Sequence, residues 1–377
     1  MAYRILLVGG GTGGHVYPLI AVAKALQAHA AQKGKALKLL MMGDGPIFQR
    51  AAKENGIAYT TIIAPKLRRY TSAGNIFDLL KVPVALAQSL LKLLWFMPDA
   101  VFAKGGYTCA FPTLVARLYF IPVFLHESDS VPGLANRMLS KRSKMVFTSF
   151  ASADRYFSEL GRPTMLVGNP FRSELCCTDR AQALQALQLD ATKKTILVIG
   201  GSLGAKQLND LVLNGLVQVV QKGYQIMHQT GERNFAEVKK SVEQYMTEGK
   251  DSYAPLIAAQ YRVYPFLDQA QLATAYGAAD VAVTRASAGV LTELSYAGKP
   301  MIVVPLPGSA NDHQLMNAAE LGRFGAAVMD GANVSVQVLL SQLDRILEPA
   351  TYADLSTRIK AFAKVDAADK IAQTMLG

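Results

Sequence analysis

The sequence is poor in the features that mark disulfide-rich and disordered proteins. It has three cysteines in 377 residues, Cys109 and the adjacent pair Cys176 and Cys177, and adjacent cysteines rarely bridge because disulfide geometry is specific. Proline accounts for only 16 residues and charged residues for 18%, whereas 51% are hydrophobic. This composition excludes a disulfide framework, a fibrous chain and a disordered chain. The length instead predicts about two globular domains.

The chain also lacks a convincing signal peptide or membrane-spanning segment. The most apolar stretch, residues 79–97, is interrupted by Lys81, Pro83 and Lys92, and such residues make it a poor spanning helix. Arg4 is followed directly by a short apolar run and glycines, without a signal core or a cleavage site. We therefore expect a cytoplasmic protein.

Acidic residues are scarce in the first part of the chain. Residues 1–165 hold 20 Lys and Arg against 8 Asp and Glu, a net charge of +12, while residues 166–377 hold 19 against 20. Such an excess predicts an anionic partner. The basic part has no basic tail, zinc-finger spacing or aromatic RNA-recognition motif, so the charge alone does not support nucleic acid; a membrane surface or an anionic ligand fits equally well.

Short apolar runs alternate with helical patterns along the chain, which is typical of βα units and a parallel sheet. The predicted strands are residues 5–8, 37–42, 100–103, 123–126 and 145–148, then 195–199, 225–229, 262–264, 281–284 and 301–305. The pattern starts twice, with ILLVGGGTGGH from Ile5 and ILVIGGSLGA from Ile196. We therefore expect two similar α/β domains joined near residues 164–194, with the binding site in the cleft between them.

The first glycine run matches G-x-G-x-x-G after a strand, which in a dinucleotide enzyme places a diphosphate on a helix N-terminus. With Asp44 near the end of the next strand, a nicotinamide-dependent oxidoreductase stays open as an alternative. That alternative leaves His15 unused. His15 begins the predicted helix with Pro18 in its first turn, and the helix dipole favours the neutral imidazole, which can accept a proton. The other interpretation of His15 is a plain helix cap.

A nucleotide-binding site is indicated by the second glycine run together with the segment ADVAVTRASAGVLTELSYAGKP. Ser202 lies in a loop that a phosphate can approach closely. Glu293 falls in the helix that follows the predicted strand 281–284, where one carboxylate can accept hydrogen bonds from both ribose hydroxyls. The alternative for this loop is a tight strand-to-helix turn.

Two further loops follow strands of the first domain and are expected at the same edge of its sheet. One contains Gly105, Gly106 and Tyr107, and the other is the segment HESDSVPGLAN at residues 126–136. Glu127 and Asp129 are the only acids between Asp99 and Asp154, which argues for specific partners, although a solvated loop fits Asp129 about as well. In the second domain, the segment NDHQLMN at residues 311–317 offers donors and acceptors for a hydroxyl-rich ligand.

The chain closely resembles one family in the order of its motifs, which are GGTGGH, GGY, HES, VGNPFR, GGSLGA and R-x-S-x(5)-E-L-x-x-x-G-K-P. That family is the bacterial N-acetylglucosaminyltransferase of peptidoglycan synthesis, which makes lipid II. The resemblance implies a GT-B fold, in which two Rossmann-like parallel-sheet domains face a deep interdomain cleft. It also implies inverting transfer of N-acetylglucosamine from UDP-N-acetylglucosamine to undecaprenyl-pyrophosphoryl-N-acetylmuramyl-pentapeptide (lipid I), with no cofactor and no catalytic metal. The sequence has no Asp-x-Asp motif or His/Cys cluster that would contradict this.

The resemblance also assigns roles to individual residues. His15 is the implied base, and Glu127 is either a second catalytic residue or one that orients the glycine loops. The residues implied to bind UDP-N-acetylglucosamine are Thr12, Gly13, Gly14, Asp129, Arg172, Ser202, Phe266, Leu267, Ala288, Gly289, Val290, Glu293, His313 and Gln314. The first three of these are implied to contact either the donor sugar or the acceptor diphosphate. Gly105, Gly106, Tyr107 and Asn136 are assigned to the acceptor and its diphosphate. Some relatives have Asn at the position of Asp129 and Gln at the positions of Leu203 and His313.

The lipid-linked acceptor implies a peripheral protein on the cytoplasmic face of the bacterial cell membrane. The resemblance implies an apolar patch ringed by positive charge. The apolar part is residues 76–96 with Trp95, and the cations are Lys66, Arg68, Arg69, Lys141, Arg142 and Lys144. An ordinary helix packed on the first sheet fits residues 79–96 equally well. The expected domains are residues 1–164 and 165–351, with a final helix at about 352–377 packed on the first domain.

Several alternatives stay open at this point. They are another UDP-sugar transferase with a soluble acceptor, a UDP-sugar epimerase, the oxidoreductase and a non-catalytic membrane scaffold. The sequence does not specify an oligomeric state, and it does not require nucleic acid.

Overall fold

The computed structural model describes residues 2–65, 73–176, 178–201, 204–248, 250 and 252–377. Lys66, Arg68, Arg69, Cys177, Ser202 and Leu203 lie outside the described residues, as do the side chains of residues 73–79. The chain divides into two compact units, Met1–Phe171 with Lys364–Gly377, and Arg172–Ala363.

The first unit contains a parallel sheet of seven strands in the order β3-β2-β1-β4-β5-β6-β7. Its strands are Tyr3–Val8 (β1), Leu37–Gly43 (β2), Tyr59–Thr61 (β3), Ala100–Ala103 (β4), Val123–Glu127 (β5), Met145–Thr148 (β6) and Thr164–Leu166 (β7). Its helices are Gly13–Gln32 (α1), Pro46–Glu54 (α2), Ala73–Phe96 (α3), Ala110–Leu118 (α4), Leu134–Ser140 (α5), Ala151–Glu159 (α6) and, at the end of the chain, Ala367–Leu376 (α16).

The second unit contains a parallel sheet of six strands in the order β10-β9-β8-β11-β12-β13. Its strands are Thr195–Ile199 (β8), Gln225–Gln229 (β9), Tyr261–Tyr264 (β10), Val281–Thr284 (β11), Met301–Val303 (β12) and Ala327–Val328 (β13). Its helices are Arg180–Ala186 (α7), Lys206–Gln221 (α8), Glu232–Glu248 (α9), Ala254–Gln260 (α10), Gln269–Ala278 (α11), Ala288–Tyr296 (α12), His313–Gly322 (α13), Val336–Leu347 (α14) and Pro349–Lys360 (α15).

The strands are apolar on both faces because helices cover both faces of each sheet. In β1, Ile5 and Leu7 pack in one cluster with α1 and α16, while Leu6 and Val8 pack in another that includes Leu93 of α3. All five side chains are 0% exposed, and burying each contributes about 1.5–3 kcal/mol relative to exposure. The alternation of side chains along a strand explains the two clusters.

Each sheet has a switch point where the strand order reverses, and this is where ligands bind in open parallel sheets. In the first unit β1 lies between β2 and β4, and in the second β8 lies between β9 and β11. Each glycine run directly follows the strand at the switch point of its sheet, β1 or β8. The predicted class, two Rossmann-like parallel-sheet domains, is confirmed.

The structure differs from the sequence-based expectations at several boundaries. Strand β7 pairs with β6, so the first unit continues to Phe171 instead of ending at 164. The helix expected at 352–377 is two helices with separate apolar stripes. Helix α15 packs on α12 and α14 within the second unit, and α16 packs on α1. Helix α1 begins at Gly13, two residues before His15, so Pro18 lies in its second turn.

Candidate functional site

The first switch point places His15 between two glycine turns. The imidazole is partly buried, and its Nδ1 lies 3.2 Å from Oγ1 of Thr12, the residue before α1. On the other side is Gly106, where an added Cβ would lie 3.6 Å from Nε2 of His15. Gly106 has a φ of +82°, in the left-handed region that favours glycine. One ring nitrogen of His15 therefore lies beside the Thr12 hydroxyl, and the other faces Gly106, which has no side chain.

The surroundings of His15 keep its imidazole neutral. Burial and, less strongly, the charge of Lys104 lower the pKa of His15 to about 4, although Asp129 acts in the opposite direction. Burial and the neighbouring cation therefore act together with the helix dipole, the effect expected from the sequence. A neutral imidazole at pH 7 is able to accept a proton.

Glu127 is 3% exposed and organises the loop that follows β5. Its Oε1 accepts the backbone N–H of Asp129 at 3.0 Å. Its Oε2 accepts the N–H of Gly133 at 3.0 Å and Nδ2 of Asn136 at 2.8 Å. Asn136 in turn packs on Gly105, where an added Cβ would lie 2.4 Å from Oδ1 of Asn136. The carboxylate thus connects the loops after β4 and β5.

Lys104 belongs to the same region, and sequence reasoning missed it. Lys104 follows β4 directly and is 1% exposed, and its Nζ lies 2.9 Å from Nδ1 of His126. A lysine beside glycines suggests a solvated turn, so the available signal was only its position at the end of a buried strand. Tyr107 also lies here, because a Cβ at Gly11 would come within 3.2 Å of its hydroxyl.

The second switch point holds the second glycine loop in place from both neighbouring strands. Nε2 of Gln229 at the end of β9 donates to the carbonyl of Gly201 at 3.1 Å. NH1 of Arg285, directly after β11, donates to the carbonyl of Gly204 at 3.1 Å. Neither side chain was among the predicted site residues. Ser202, the predicted phosphate contact, lies outside the described residues.

Arg172 and Glu293, predicted to bind different parts of the donor, form one buried pair in the second unit. Nε and NH2 of Arg172 both lie 3.0 Å from Oε1 of Glu293. The hydroxyl of Tyr276 donates to Oε2 at 2.9 Å. Burial raises the pKa of Tyr276 well above its usual value, and Glu293 adds to the shift. Each carboxylate oxygen has a second lone pair, so Glu293 keeps acceptor capacity for a ribose hydroxyl.

The other predicted donor contacts fall on loops of the second unit. Leu267 is 7% exposed, and its side chain packs in a hydrophobic cluster. A nucleotide base can therefore contact only the backbone of Leu267 and the partly exposed Phe266. Ala288, Gly289 and Val290 are the first residues of α12, and the position of a Cβ at Gly289 is open space.

Gln314 and His313 open helix α13. Gln314 is 4% exposed, and its Oε1 accepts the N–H of Leu306 at 3.0 Å. Its side chain therefore holds the loop after β12. Of the residues predicted to bind the donor, Thr12, Gly13, Gly14 and Asp129 belong to the first unit, and the others that the structure describes belong to the second.

Within the described residues, no three His, Cys, Asp or Glu side chains cluster as metal ligands. The described helices also include none that combines the length and apolar character needed to cross a bilayer.

Family models cover most of the chain. Residues 5–148 match the glycosyltransferase family 28 N-terminal domain, and residues 195–374 match the glycosyltransferase family 28 C-terminal domain. Together the two matches include both switch points described above.

Curated relatives and solved structures agree with this match. The UDP-N-acetylglucosamine--N-acetylmuramyl-(pentapeptide) pyrophosphoryl-undecaprenol N-acetylglucosamine transferase of Halothermothrix orenii is 34% identical over 86% of this chain and 85% of its own. The protein of the same name from Bacillus licheniformis is 31% identical over 98% of this chain and 96% of its own.

The crystal structure of Acinetobacter baumannii MurG has a TM-score of 0.70 at 26% identity and covers 99% of both chains. A UDP-GlcNAc 2-epimerase from Neisseria meningitidis has a TM-score of 0.70 at 15% identity over 99% of both chains, a likeness of fold alone. The switch-point glycine loops and the full-length relatives lead to one conclusion: this chain belongs to the family of pyrophosphoryl-undecaprenol N-acetylglucosamine transferases, with the two domains of glycosyltransferase family 28.

Proposed function

We propose that this chain transfers N-acetylglucosamine from UDP-N-acetylglucosamine to undecaprenyl-pyrophosphoryl-N-acetylmuramyl-pentapeptide, so that lipid I becomes lipid II. The observation that carries the proposal is the position of His15, a neutral imidazole between the glycine turns that follow β1 and β4. Membership of the transferase family supports the donor and the acceptor. The reaction serves peptidoglycan synthesis and therefore cell wall growth, cell shape and division.

The chemistry proposed for His15 is general base catalysis in a single inverting displacement. When Nδ1–H of His15 donates to Thr12, the lone pair of the imidazole is on Nε2, which faces Gly106. Nε2 takes the proton of the acceptor hydroxyl as its oxygen bonds to the anomeric carbon. The bond from that carbon to the UDP oxygen breaks at the same time, and UDP leaves with the electron pair. Thr12 thus selects the reactive tautomer.

The acceptor diphosphate is assigned to the glycine loops of the first unit, with Gly105, Gly106, Tyr107 and Asn136. Backbone N–H groups at a helix N-terminus suit an anion, and Gly13 and Gly14 begin α1. We assign Glu127 a positioning role, because its carboxylate accepts three hydrogen bonds from the loop at residues 129–136. Asp129 contacts the donor sugar in this proposal.

The donor nucleotide is assigned to the second unit. The second glycine loop with Ser202 and the start of α12 at residues 288–290 hold the diphosphate. Phe266 and the backbone of Leu267 contact uracil, Glu293 accepts the ribose hydroxyls, and Gln314 with His313 contacts the sugar. Arg172 orients Glu293 and adds positive charge for the departing UDP, a form of transition-state stabilisation that needs no metal.

A surface on α3, α4 and α5, which we name the apolar face, is proposed to bind the cytoplasmic leaflet. Helix α3 buries Ala85, Ser89 and Leu93 against the first unit, so its other side faces outward. Helix α4 packs on α3 and helix α5 packs on α4, so these two helices extend the outward side of α3. The exposed side chains of the apolar face are Leu91, Leu94 and Trp95 of α3, Leu114, Leu118 and Phe120 on and just after α4, and Leu134 and Met138 of α5.

Positive charge accompanies the apolar face. Arg117 is on α4, close enough to Arg142 for their charges to interact, while Lys141 and Lys144 follow α5 and are exposed. Apolar side chains with flanking cations suit an anionic lipid surface. Buried and outward-facing residues share α3, which combines the two sequence-based interpretations of residues 79–96.

Release of UDP in the presence and absence of a short-chain lipid I analogue tests the proposed function. We expect release that depends on the acceptor and continues with a chelator present. Conversion of the donor without acceptor would instead identify an epimerase, and an unchanged donor under both conditions would contradict the proposal. Binding titrations with NAD and UDP-N-acetylglucosamine are the control for the oxidoreductase alternative, which predicts NAD binding.

A further inference from the structure

Lys104 lies at the centre of the first switch point although its side chain does not reach solvent. Its backbone N–H donates to the carbonyl of Val8 at 2.9 Å, so it stands beside the end of β1. A Cβ at Gly9 would lie 3.3 Å from Cβ of Lys104 and 3.5 Å from the carbonyl oxygen of His15. Lys104 and the first turn of α1 therefore pack on the same glycine, and Lys104, which is 1% exposed, buries its ammonium group beside the glycine turns.

Lys104 is also the start of a buried hydrogen-bond chain. Nε2 of His126 is 3.0 Å from the carbonyl oxygen of Gly168 and must donate to it, because a carbonyl oxygen only accepts. Nδ1 of His126 is then the acceptor for Nζ of Lys104 at 2.9 Å. In this tautomer, neutral His126 accepts the hydrogen bond that charged Lys104 donates. Lys104 thus fixes the orientation of the His126 ring.

The charges near Lys104 come from several elements of the first unit. Burial lowers the pKa of Lys104, whereas Glu127 on β5, Asp129 in the next loop and, less strongly, Cys109 raise it; the resulting pKa is about 8. The Cys109 thiol stays neutral because burial raises its pKa to about 12. His126 and His15 are both neutral beside this cation. The ammonium is therefore the positive charge that opposes Asp129 at His15.

We propose that Lys104 is a positioning residue of the site, whose buried ammonium orients His126 and opposes protonation of the His15 imidazole. This inference rests on the proposed function, in which an anionic diphosphate binds beside His15. An anion at that position favours the imidazolium, which cannot accept a proton. The buried cation opposes this effect, so the base stays available in the substrate complex.

Titration of the five histidines by NMR tests the inference without substrate. The His15 signal is assigned with His15→Gln, and each variant is compared with wild type between pH 3 and 8. Lys104→Gln removes the charge but keeps a donor for His126, so we expect the pKa of His15 to rise by about one unit, a tenfold increase in its protonated fraction. An unchanged His15 titration in folded Lys104→Gln would overturn the inference.

Two controls make this result specific. Lys92→Gln removes another partly buried lysine of the first unit, one that donates to Oγ1 of Thr60 at 2.6 Å, and should leave the His15 titration unchanged. The signal of His29, which is bonded to Asp369 on α16, reports whether the first unit is folded. If Lys104→Gln does not fold, Lys104→Met replaces it. Titration of wild-type His15 at the ordinary value of about 6.5 would overturn the inference without any variant.

An activity measurement separates this inference from the proposed function. In Lys104→Gln the acid limb of kcat/KM should move upward in pH by the shift measured for His15, while KM for UDP-N-acetylglucosamine stays within about twofold of wild type. A loss of activity that is equal at every pH would indicate a purely structural role and contradict the inference. If wild type transfers no sugar but the NMR shift occurs, only the proposed function fails.

Discussion

Arg172 and Glu293 form a buried ion pair, with NH2 of Arg172 3.0 Å from Oε1 of Glu293 and side chains 10% and 6% exposed. Removing one partner of such a pair leaves an unpaired buried charge, which costs about 3–5 kcal/mol. We therefore expect Glu293→Ala to destabilise the second unit as well as to weaken donor binding. Glu293→Gln, which keeps the shape, should cost less.

Urea unfolding followed by circular dichroism checks the effect on stability. Lys206→Ala is a matched control, because it breaks an ion pair with Glu237 in which both side chains are more than half exposed, and such pairs contribute little. If Glu293→Ala and Lys206→Ala lower the unfolding midpoint equally, the buried Arg172–Glu293 pair stabilises the second unit no more than an exposed ion pair does.

His15 should affect turnover much more than donor binding. We expect His15→Gln to lower kcat by about 10²–10⁴-fold, the usual contribution of a general base, with the Kd for UDP-N-acetylglucosamine within about threefold of wild type. Acceptor-dependent UDP release and calorimetry measure the two quantities. Turnover close to that of wild type would remove His15 as the base.

Thr12 offers a finer test of the same site. Thr12→Val removes the oxygen 3.2 Å from Nδ1 of His15 but keeps the branched shape, whereas Thr12→Ser keeps the oxygen. If the hydroxyl selects the tautomer, kcat falls at least tenfold in Thr12→Val and recovers in Thr12→Ser. Equal kcat values for the two variants would contradict a role for the hydroxyl.

His228 should make the stability of the second unit depend on pH. It is 0% exposed, bonded to Tyr261 and Asn209, and burial lowers its pKa to about 3. Below about pH 6.5 the unfolded chain binds a proton here that the folded chain does not, so the free energy of unfolding decreases by up to about 1.4 kcal/mol per pH unit as the pH falls toward 3.

The His228→Gln variant isolates this contribution. The other buried histidines titrate in both proteins, so the difference between the two stability curves belongs to His228. We expect urea midpoints of wild type and variant to converge as the pH is lowered from 7.5 to 4.5. Parallel curves would show that His228 takes up no additional proton on unfolding.

Trp95 allows membrane binding to be observed directly, because it is the one tryptophan of the sequence and is 79% exposed. Binding of the apolar face to anionic vesicles should shift its emission to shorter wavelength, and salt should weaken the effect because it screens charge. Phe120→Ser, at a side chain 95% exposed, should weaken binding. An unchanged emission with anionic vesicles, or equal binding to neutral vesicles, would contradict the proposed surface.

The glycine loops show what local sequence can predict. A buried apolar strand, a glycine turn and an amphipathic helix are specified by neighbouring residues, so both strand-to-helix turns and the two-sheet class were predicted. Short edge strands such as Thr164–Leu166 and Ala327–Val328 have too few residues for a periodic signal. The last helix was predicted as one because residues 351–376 are helical in pattern throughout, although Leu355 and Ile371 pack in different units.

The partners of the site residues could not be predicted in the same way. The contacts of Glu293 with Arg172 and Tyr276 join residues 121 and 17 positions apart, and no local pattern encodes such a distance. Lys104 was missed because its role depends on burial, which turns an ordinary surface residue type into a charge beneath the glycine turns. Gln229 and Arg285 were missed because they contact the second glycine loop from neighbouring strands.

The central claim is that this chain joins N-acetylglucosamine to a lipid-linked muramyl acceptor. Mass spectrometry of a short-chain lipid I analogue, incubated with the chain and UDP-N-acetylglucosamine, tests it most directly. We predict that the acceptor gains one N-acetylhexosamine for each UDP released, and that His15→Ala forms at least about a hundredfold less product in the same time. An acceptor of unchanged mass with the folded wild-type chain would contradict the account.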